Sequence, residues 1–169
     1  MMLRFSALSA FFILSFCLVC STRAQAPAKI AEIQARAFES RTGTFSENLI
    51  GSGARELGNM PSGPNASVST FIIVKVQFGK DSPVPAAAKV RLVATETGST
   101  PFSSNSKTQR RKIILDTSSS LGPADSDGTT YVGFWLERTD CRTIVLNASL
   151  RGVAGATSMV ETLPFTCYE

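Results

Sequence analysis

Apolar and polar residues alternate along most of the chain beyond residue 67, and a period of two is typical of β-strands with one buried face. The alternation predicts these inward-facing positions: Val68, Thr70, Ile72, Val74, Val76 and Phe78; Ala88, Val90, Leu92 and Ala94; Ile113 and Leu115; Val132, Phe134 and Leu136; Ile144, Leu146, Ala148 and Leu150. Phe71 and Ile73 lie on the other face of the first strand, so we expect that face to be half covered. Short strands without a long helix between them indicate an all-β sandwich or barrel.

Segments rich in glycine, proline, serine and asparagine separate these strands and are predicted to be loops. They cover residues 79–85, 98–106, 117–128 and 152–156. The run Ser118, Ser119, Ser120 is interpreted as loop, and the strand before it is predicted over about 110–116. Pro164 places the last strand at a sheet edge, because proline has no N–H to donate to a neighbouring strand.

Residues 28–40 fit two patterns. Ile30, Ile33, Ala37 and Phe38 match a helical stripe, while Ile33, Ala35 and Ala37 also match strand alternation. We expect a first strand, because local structure that agrees with the rest of the fold is favoured. The glycine-rich and proline-rich segment 48–64 is expected to cross irregularly between strands.

The N-terminus has the order of a secretory signal peptide: a basic start, an apolar run and small polar residues. The apolar run is shorter than the roughly 20 residues of a membrane-spanning helix. We therefore predict a signal peptide over residues 1–24, a secreted or periplasmic mature chain, and no membrane span after its removal. The rest is expected to be one domain, with residues 25–66 as an N-terminal strand and crossing segment and 67–169 as the sandwich body.

Processing changes the charge and the cysteine count. Two of the 17 basic residues leave with the leader and all 13 acidic residues stay, so the net charge becomes small and does not favour nucleic-acid binding. Cys17 and Cys20 also leave, which reduces four cysteines to two. Cys141 precedes one predicted strand and Cys167 follows the next, so an antiparallel hairpin predicts a disulfide between them.

The turn Asp125-Ser126-Asp127-Gly128, followed by Tyr131 at the head of a strand, resembles the Asp-Gly-Tyr corner of immunoglobulin-like sandwiches. The resemblance covers only the region from about Asp125 to Cys167 and implies a single immunoglobulin-like β-sandwich of about seven antiparallel strands. It implies no activity. As a calcium loop the same turn would have Pro123 and Phe134 where carboxylates are needed, so a plain turn is the better interpretation.

The chain contains no histidine, which removes histidine-based nucleophile pairs and histidine-ligated zinc. No cofactor or metal is therefore expected. A Ser–Lys dyad or a carboxylate site is the enzymatic chemistry that remains, and neither leaves a local motif here.

Two clusters are candidates for ligand binding. The cations Lys107, Arg110, Arg111 and Lys112 either bind an anionic polymer or form a solvated strand edge that prevents aggregation, and we favour the edge. Tyr131 and Trp135 share the strand face opposite Val132, so they either pack in the core, which we favour, or form an exposed strip for a sugar or a protein partner.

Asn65 and Asn147 match the glycosylation sequon, which has meaning only in a eukaryotic secretory route. Together these features predict an exported, non-catalytic binding, adhesion or envelope-assembly module. Its expected partner is an anionic polysaccharide or another envelope protein. The alternative is a small secreted hydrolase with a Ser–Lys or carboxylate site.

Overall fold

The computed structural model describes residues 27–51, 57–58, 69–97, 111–137, 142–155 and 157–166, and all regular structure within them is β. Seven strands have six to eleven residues: β1 Lys29–Glu39, β4 Ser69–Gln77, β5 Lys89–Thr97, β6 Lys112–Ser120, β7 Thr129–Glu137, β8 Thr143–Arg151 and β9 Ser158–Leu163. Three have two residues: β2 Thr44–Phe45, β3 Leu57–Gly58 and β10 Phe165–Thr166. The described part of the chain contains no helix with the length and apolar character of a membrane span.

The strands form two antiparallel sheets of four, which confirms the all-β prediction. Sheet I has the order β2-β1-β4-β7 and sheet II the order β6-β5-β8-β9, while β3 and β10 form a separate parallel pair. The chain passes from sheet I to sheet II after β4, returns after β6 and crosses again after β7. Each sheet thus contains strands from distant parts of the sequence.

The core lies between the sheets and consists of the predicted alternating positions. Ile72, Val74, Leu92, Leu136 and Leu146 are all completely buried. Residues 29–39 form a strand rather than a helix, and Ile33, Ala35 and Ala37 are its inward positions. The predicted first strand is therefore confirmed, because the apolar residues of this segment face the core from a sheet.

The loop predicted over 117–128 is partly wrong. Strand β6 continues to Ser120, and Ser118 and Ser119 pair with Arg91 and Val90 of β5. Serine has a low strand propensity, but an edge strand needs only one hydrogen-bonded neighbour and no buried side-chain face.

The predicted inward position of Ile113 is also wrong, because its side chain is 60% exposed. The register shifts where Ala94 pairs with Leu115 and Thr95 pairs with Ile113, so Ile114 is an extra residue in β6. Such a bulge reverses which side chains face the core on one side of it. Ile114 packs against the core instead.

The remaining edge features agree with the sequence. β9 is an edge strand of sheet II and stops one residue before Pro164, as predicted. The turn between β8 and β9 contains Gly152 and Gly155 with φ of 75° and 71°. This left-handed conformation favours glycine, and at Gly152 a side chain would also collide with the carbonyl of Ala87.

Candidate functional site

The outer face of sheet I carries a cluster of four aromatic rings, from Phe38, Phe45, Phe71 and Trp135, which we call the aromatic cluster. The ring of Phe71 lies 5.0 Å from that of Trp135 and 5.7 Å from that of Phe45. Phe45 and Trp135 are 6.0 Å apart, and Phe38 lies 5.5 Å from Phe45. These separations are those of direct aromatic contact, so the rings form one continuous surface.

The cluster remains open to solvent. Trp135 is 47% exposed, Phe45 is 46% exposed and Tyr131, on the same face of β7, is 56% exposed. The favoured interpretation of Tyr131 and Trp135 as core residues is therefore wrong. Their inward neighbours on β7 fill the core, and alternation turns these two side chains outward.

A tight hairpin brings Phe45 over the sheet. Gly43, with φ of 70°, donates its N–H to the carbonyl of Glu39 and closes the turn between β1 and β2. The N–H of Ala37 then donates to the Ser46 hydroxyl at 2.9 Å, which holds the returning chain against β1. Phe45 consequently pairs with Phe38 and reaches the rings from the central strands.

Gly133 makes room for the centre of the cluster. It lies between Tyr131 and Trp135 on the outer face of β7, and a Cβ there would collide with the Cζ atom of Phe71. The Phe71 ring therefore lies over the glycine backbone and contacts Trp135. A residue with a side chain would displace this ring.

A row of polar side chains on β1 borders the aromatic cluster. The Arg36 guanidinium donates to Gln34 Oε1 at 3.3 Å, and Gln34 Nε2 donates to Glu32 Oε1 at 2.8 Å. Arg36 Nε is buried without a hydrogen-bond partner. Aromatic faces beside a short row of donors and acceptors can bind a ligand that has both apolar and hydroxylated surfaces.

The resemblance to an immunoglobulin corner is not borne out at Tyr131. In that corner the tyrosine hydroxyl bonds back to the backbone near a late strand, whereas Tyr131 is mostly exposed on a strand of sheet I. The preceding turn is nevertheless built as a plain turn. Asp125 Oδ1 accepts the N–H groups of Asp127 at 3.0 Å and Thr129 at 2.8 Å, so this carboxylate already has backbone partners.

The basic cluster is described only at Arg111 and Lys112, since Lys107 and Arg110 lie outside the described residues. Lys112 opens β6 on sheet II, whereas Trp135 belongs to sheet I. Lys112 Nζ lies 3.8 Å from Oε2 of Glu96. The described part of this cluster is thus beside a carboxylate and on a different sheet from the aromatic cluster.

Glu96 was not singled out by the sequence motifs. It faces inward from β5, is 1% exposed, and has Arg142 Nη1 at 3.9 Å in addition to Lys112. Neither of its carboxylate oxygens accepts a hydrogen bond from a residue in the described part of the chain. The sequence pattern could have identified Glu96 as a buried carboxylate, because Glu96 continues the inward alternation of Leu92 and Ala94.

The outer face of sheet II differs from that of sheet I. Arg91 forms two hydrogen bonds to the Asp116 carboxylate, at 2.7 and 2.6 Å. The hydrogen bond from Arg91 is the main cause of a lowered pKa of Asp116. Asn147, one of the two sequon residues, is exposed on this face, while Asn65 lies outside the described residues.

Cys141 and Cys167 also lie outside the described residues. Across the described ranges, no three acidic, cysteine or histidine side chains are grouped for a metal ion. Neither a protein-family model nor a curated protein sequence matches this chain.

Proposed function

We propose that this protein is an exported, non-catalytic binding module with an immunoglobulin-like fold, and that it binds a polysaccharide on the outer face of sheet I. The observation that carries the proposal is the exposure of Phe45 and Trp135 in one ring cluster beside Tyr131. Contiguous exposed aromatic surface is uncommon on soluble proteins and typically marks a binding site.

The strand order supports the immunoglobulin-like part of the proposal. Strands β1, β4 and β7 correspond to the A, B and E strands of such sandwiches, and β6, β5, β8 and β9 to C′, C, F and G. The chain changes sheets at the corresponding connections. The cysteine pair and the tyrosine corner of antibody domains have no counterpart in this arrangement.

The register of the last hairpin supports a disulfide between Cys141 and Cys167. Ile144 pairs with Leu163 at the open end of β8 and β9. Cys141 precedes this pair by three residues and Cys167 follows it by four in the sequence, which is the spacing that a disulfide across the open end of this hairpin would need. A disulfide there requires oxidising conditions, which agrees with the proposed export.

A polysaccharide is favoured because the face combines ring surfaces with balanced polar groups. The outward side chains of the three long strands include three cations, Lys29, Arg36 and Lys75, and two carboxylates, Glu32 and Glu137. These charges are close to balance, so the face has no strong preference for a polyanion. Sugar rings present C–H faces to aromatic rings and hydroxyls to groups such as Arg36 and Gln34, so a neutral glycan matches both parts of the surface.

The proposal is testable by fluorescence because Trp135 is the single tryptophan of the chain. Titration with a soluble neutral β-glucan oligosaccharide should change Trp135 emission in a saturable manner, and a polyuronate should bind more weakly. Phe45→Ala should raise the dissociation constant for the neutral glycan by about tenfold, as expected for loss of a central aromatic contact. Ile113→Ala, at a side chain 60% exposed on sheet II, is the control and should bind normally.

Each alternative gives a different result. Saturable binding of the polyuronate with no response to the neutral glycan would contradict the neutral ligand and favour the basic cluster. Equal binding by Phe45→Ala and the unchanged protein would exclude the aromatic cluster as the site. No response to either polymer, in protein whose fold is verified by circular dichroism, would refute polysaccharide binding at this face.

A further inference from the structure

The free edge of β7 differs from the other three sheet edges. A sheet edge exposes unpaired backbone N–H and C=O groups, and soluble proteins usually protect it with charges, proline, bulges or short strands. β2 has two residues, β9 has six and is followed by Pro164, and β6 has a bulge and begins with Lys112. Each of these edges has at least one protective feature.

β7 has none of these features beyond its first residue, Thr129, whose backbone N–H and C=O are bonded to Asp125. It pairs with β4 through nine consecutive residue pairs without a register shift. It contains no proline, lysine or arginine, and its one carboxylate, Glu137, is the last residue. Within the described residues no strand pairs with its other side. An edge of this length and polarity is suited to pairing with another strand.

We propose that β7 pairs antiparallel with β7 of a second copy, around a two-fold axis at Gly133. The strand is nearly symmetric about this residue, because Tyr131 and Trp135 project from the same face two residues on either side of it. Two-fold pairing places Tyr131 opposite Trp135 of the partner subunit, twice per dimer. Residues directly opposite in antiparallel strands have Cβ atoms about 4.5–5.5 Å apart, which is within aromatic contact.

The other pairs of this register are also compatible. Gly133 meets Gly133 of the partner subunit at the axis, where neither has a side chain. On the inner face Val132 lies opposite Phe134 of the partner subunit, so apolar groups meet. The backbone N–H and C=O of Thr129 are already bonded to Asp125, so the new pairing extends from Tyr131 to Trp135 and brings no like charges together. A shift by two residues in one direction would place Trp135 opposite Gly133, and in the other direction Tyr131 opposite Gly133, so both shifts lose the aromatic pairs and the symmetric register is the favoured one.

We favour a second copy as the partner because β7 is complementary to its own sequence, and a two-fold interface requires a self-complementary surface. The perpendicular axis of such a pairing keeps the outer faces of both copies on the same side. The dimer would then have one eight-stranded sheet with two aromatic clusters side by side. Dimerisation does not depend on the proposed glycan, but it would double the surface offered to one and strengthen binding through multivalency.

The test exchanges the aromatic pairs for charged pairs and measures dimerisation by sedimentation velocity at several protein concentrations, without glycan. We expect a dimer for the unchanged protein. Tyr131→Lys and Trp135→Glu should each raise the dimer dissociation constant by about tenfold or more, because each removes both cross-strand aromatic pairs. Trp135 also contacts Phe71 and Phe45 within its own copy, so circular dichroism verifies the fold of each variant before its dimerisation is measured.

The double variant makes the test specific for this register. Tyr131→Lys combined with Trp135→Glu places each introduced lysine opposite the glutamate introduced in the second copy. The double variant should therefore restore the dimer, which should now weaken at high salt. Val160→Lys is the matched control, since Val160 is 56% exposed like Tyr131 but lies on edge strand β9, and it should leave the dimer unchanged.

Three results would overturn the proposal. The unchanged protein could be monomeric at every concentration, Val160→Lys could dissociate it as strongly as Tyr131→Lys, or the double variant could remain dissociated. The last result would indicate contact between aromatic clusters in another geometry. A stable dimer without any glycan response would refute the proposed function while leaving this inference intact.

Discussion

Replacing Gly133 by alanine tests whether the aromatic cluster is built as described. The new Cβ would collide with Phe71 Cζ and lie 2.9 Å from its Cε2 atom, so the ring has to move. Trp135 and Phe45 lie 5.0 and 5.7 Å from this ring and restrict its movement. The perturbation therefore acts on the cluster directly rather than on the core between the sheets.

The expected magnitude combines two opposing effects. Overpacking a well-packed site costs about 1–3 kcal/mol, while replacing glycine in a strand recovers about 0.5–1 kcal/mol of conformational entropy. We expect a net loss of about 1 kcal/mol in the free energy of unfolding, or a Tm lower by about 2–4 °C for a chain of this size. Trp135 emission should shift to longer wavelength, because displacement of Phe71 exposes the indole to water.

Urea unfolding followed by circular dichroism measures the stability, and fluorescence measures the environment of Trp135. Gly122→Ala is the control, since nothing lies within 4 Å of the added Cβ and its φ is not left-handed. Phe71→Leu should relieve the collision, so the double variant Gly133→Ala with Phe71→Leu should be more stable than the sum of single effects predicts. A more stable Gly133→Ala protein with unchanged emission would refute the placement of Phe71 over Gly133.

Three further outcomes are expected, two from contacts in the structure and one from the proposed disulfide. Glu96→Met should raise the free energy of unfolding by about 1–3 kcal/mol, measured by chemical denaturation. The desolvation cost of this buried carboxylate exceeds the attraction of two cations near 4 Å, because no described residue donates a hydrogen bond to it. A lower free energy of unfolding would contradict this. The pair formed by Asp116 and Arg91 has a lowered carboxylate pKa when folded, so its stabilisation is complete above the unfolded pKa of Asp116 and disappears as pH falls through the folded value. Asp116→Asn should reduce the acid-side slope of Tm against pH, and an unchanged slope would exclude the pair as a contributor. Non-reducing peptide mapping should find Cys141 joined to Cys167, and replacing both by serine should lower stability by roughly 3.5 kcal/mol in the chain-entropy treatment; two free thiols in exported protein would refute the bridge.

The alternation of apolar residues was sufficient to predict most of the core. Val74, Leu92, Phe134 and Leu146 belong to strands with regular period and face the core as expected. The same period failed at Ile113, because a bulge adds one residue and no composition signal marks it. Bulges depend on how two strands pair, which a single strand's sequence does not contain.

The aromatic cluster was harder to predict than the core. Tyr131 and Trp135 were visible as a pair, but their preference for burial depended on residue type alone and was wrong. Phe45 lies in a polar segment with no periodic neighbours, so its contact with Trp135 depends on the β1–β2 hairpin. The position of Arg36 likewise depends on sheet pairing, because β1 pairs with β4 so that Arg36 lies opposite Phe71.

The arrangement of charges and rings is the reason why we propose binding rather than catalysis. The buried carboxylate Glu96 has cations beside it but faces the core, where a substrate would have to displace packed side chains to reach it. The exposed aromatic cluster is accessible without rearrangement, and its polar neighbours Arg36 and Gln34 are held by hydrogen bonds to each other. Preorganised groups lose little conformational entropy when a ligand binds, so such a surface can bind a rigid polymer with little ordering. The sheet itself also makes the cluster rigid. Three of the rings project from long strands whose other face packs in the core, and Phe45 projects from the β1–β2 hairpin. We therefore expect changes in the core to act mainly on stability, and Phe45→Ala to weaken binding together with a small loss of stability from its ring contacts.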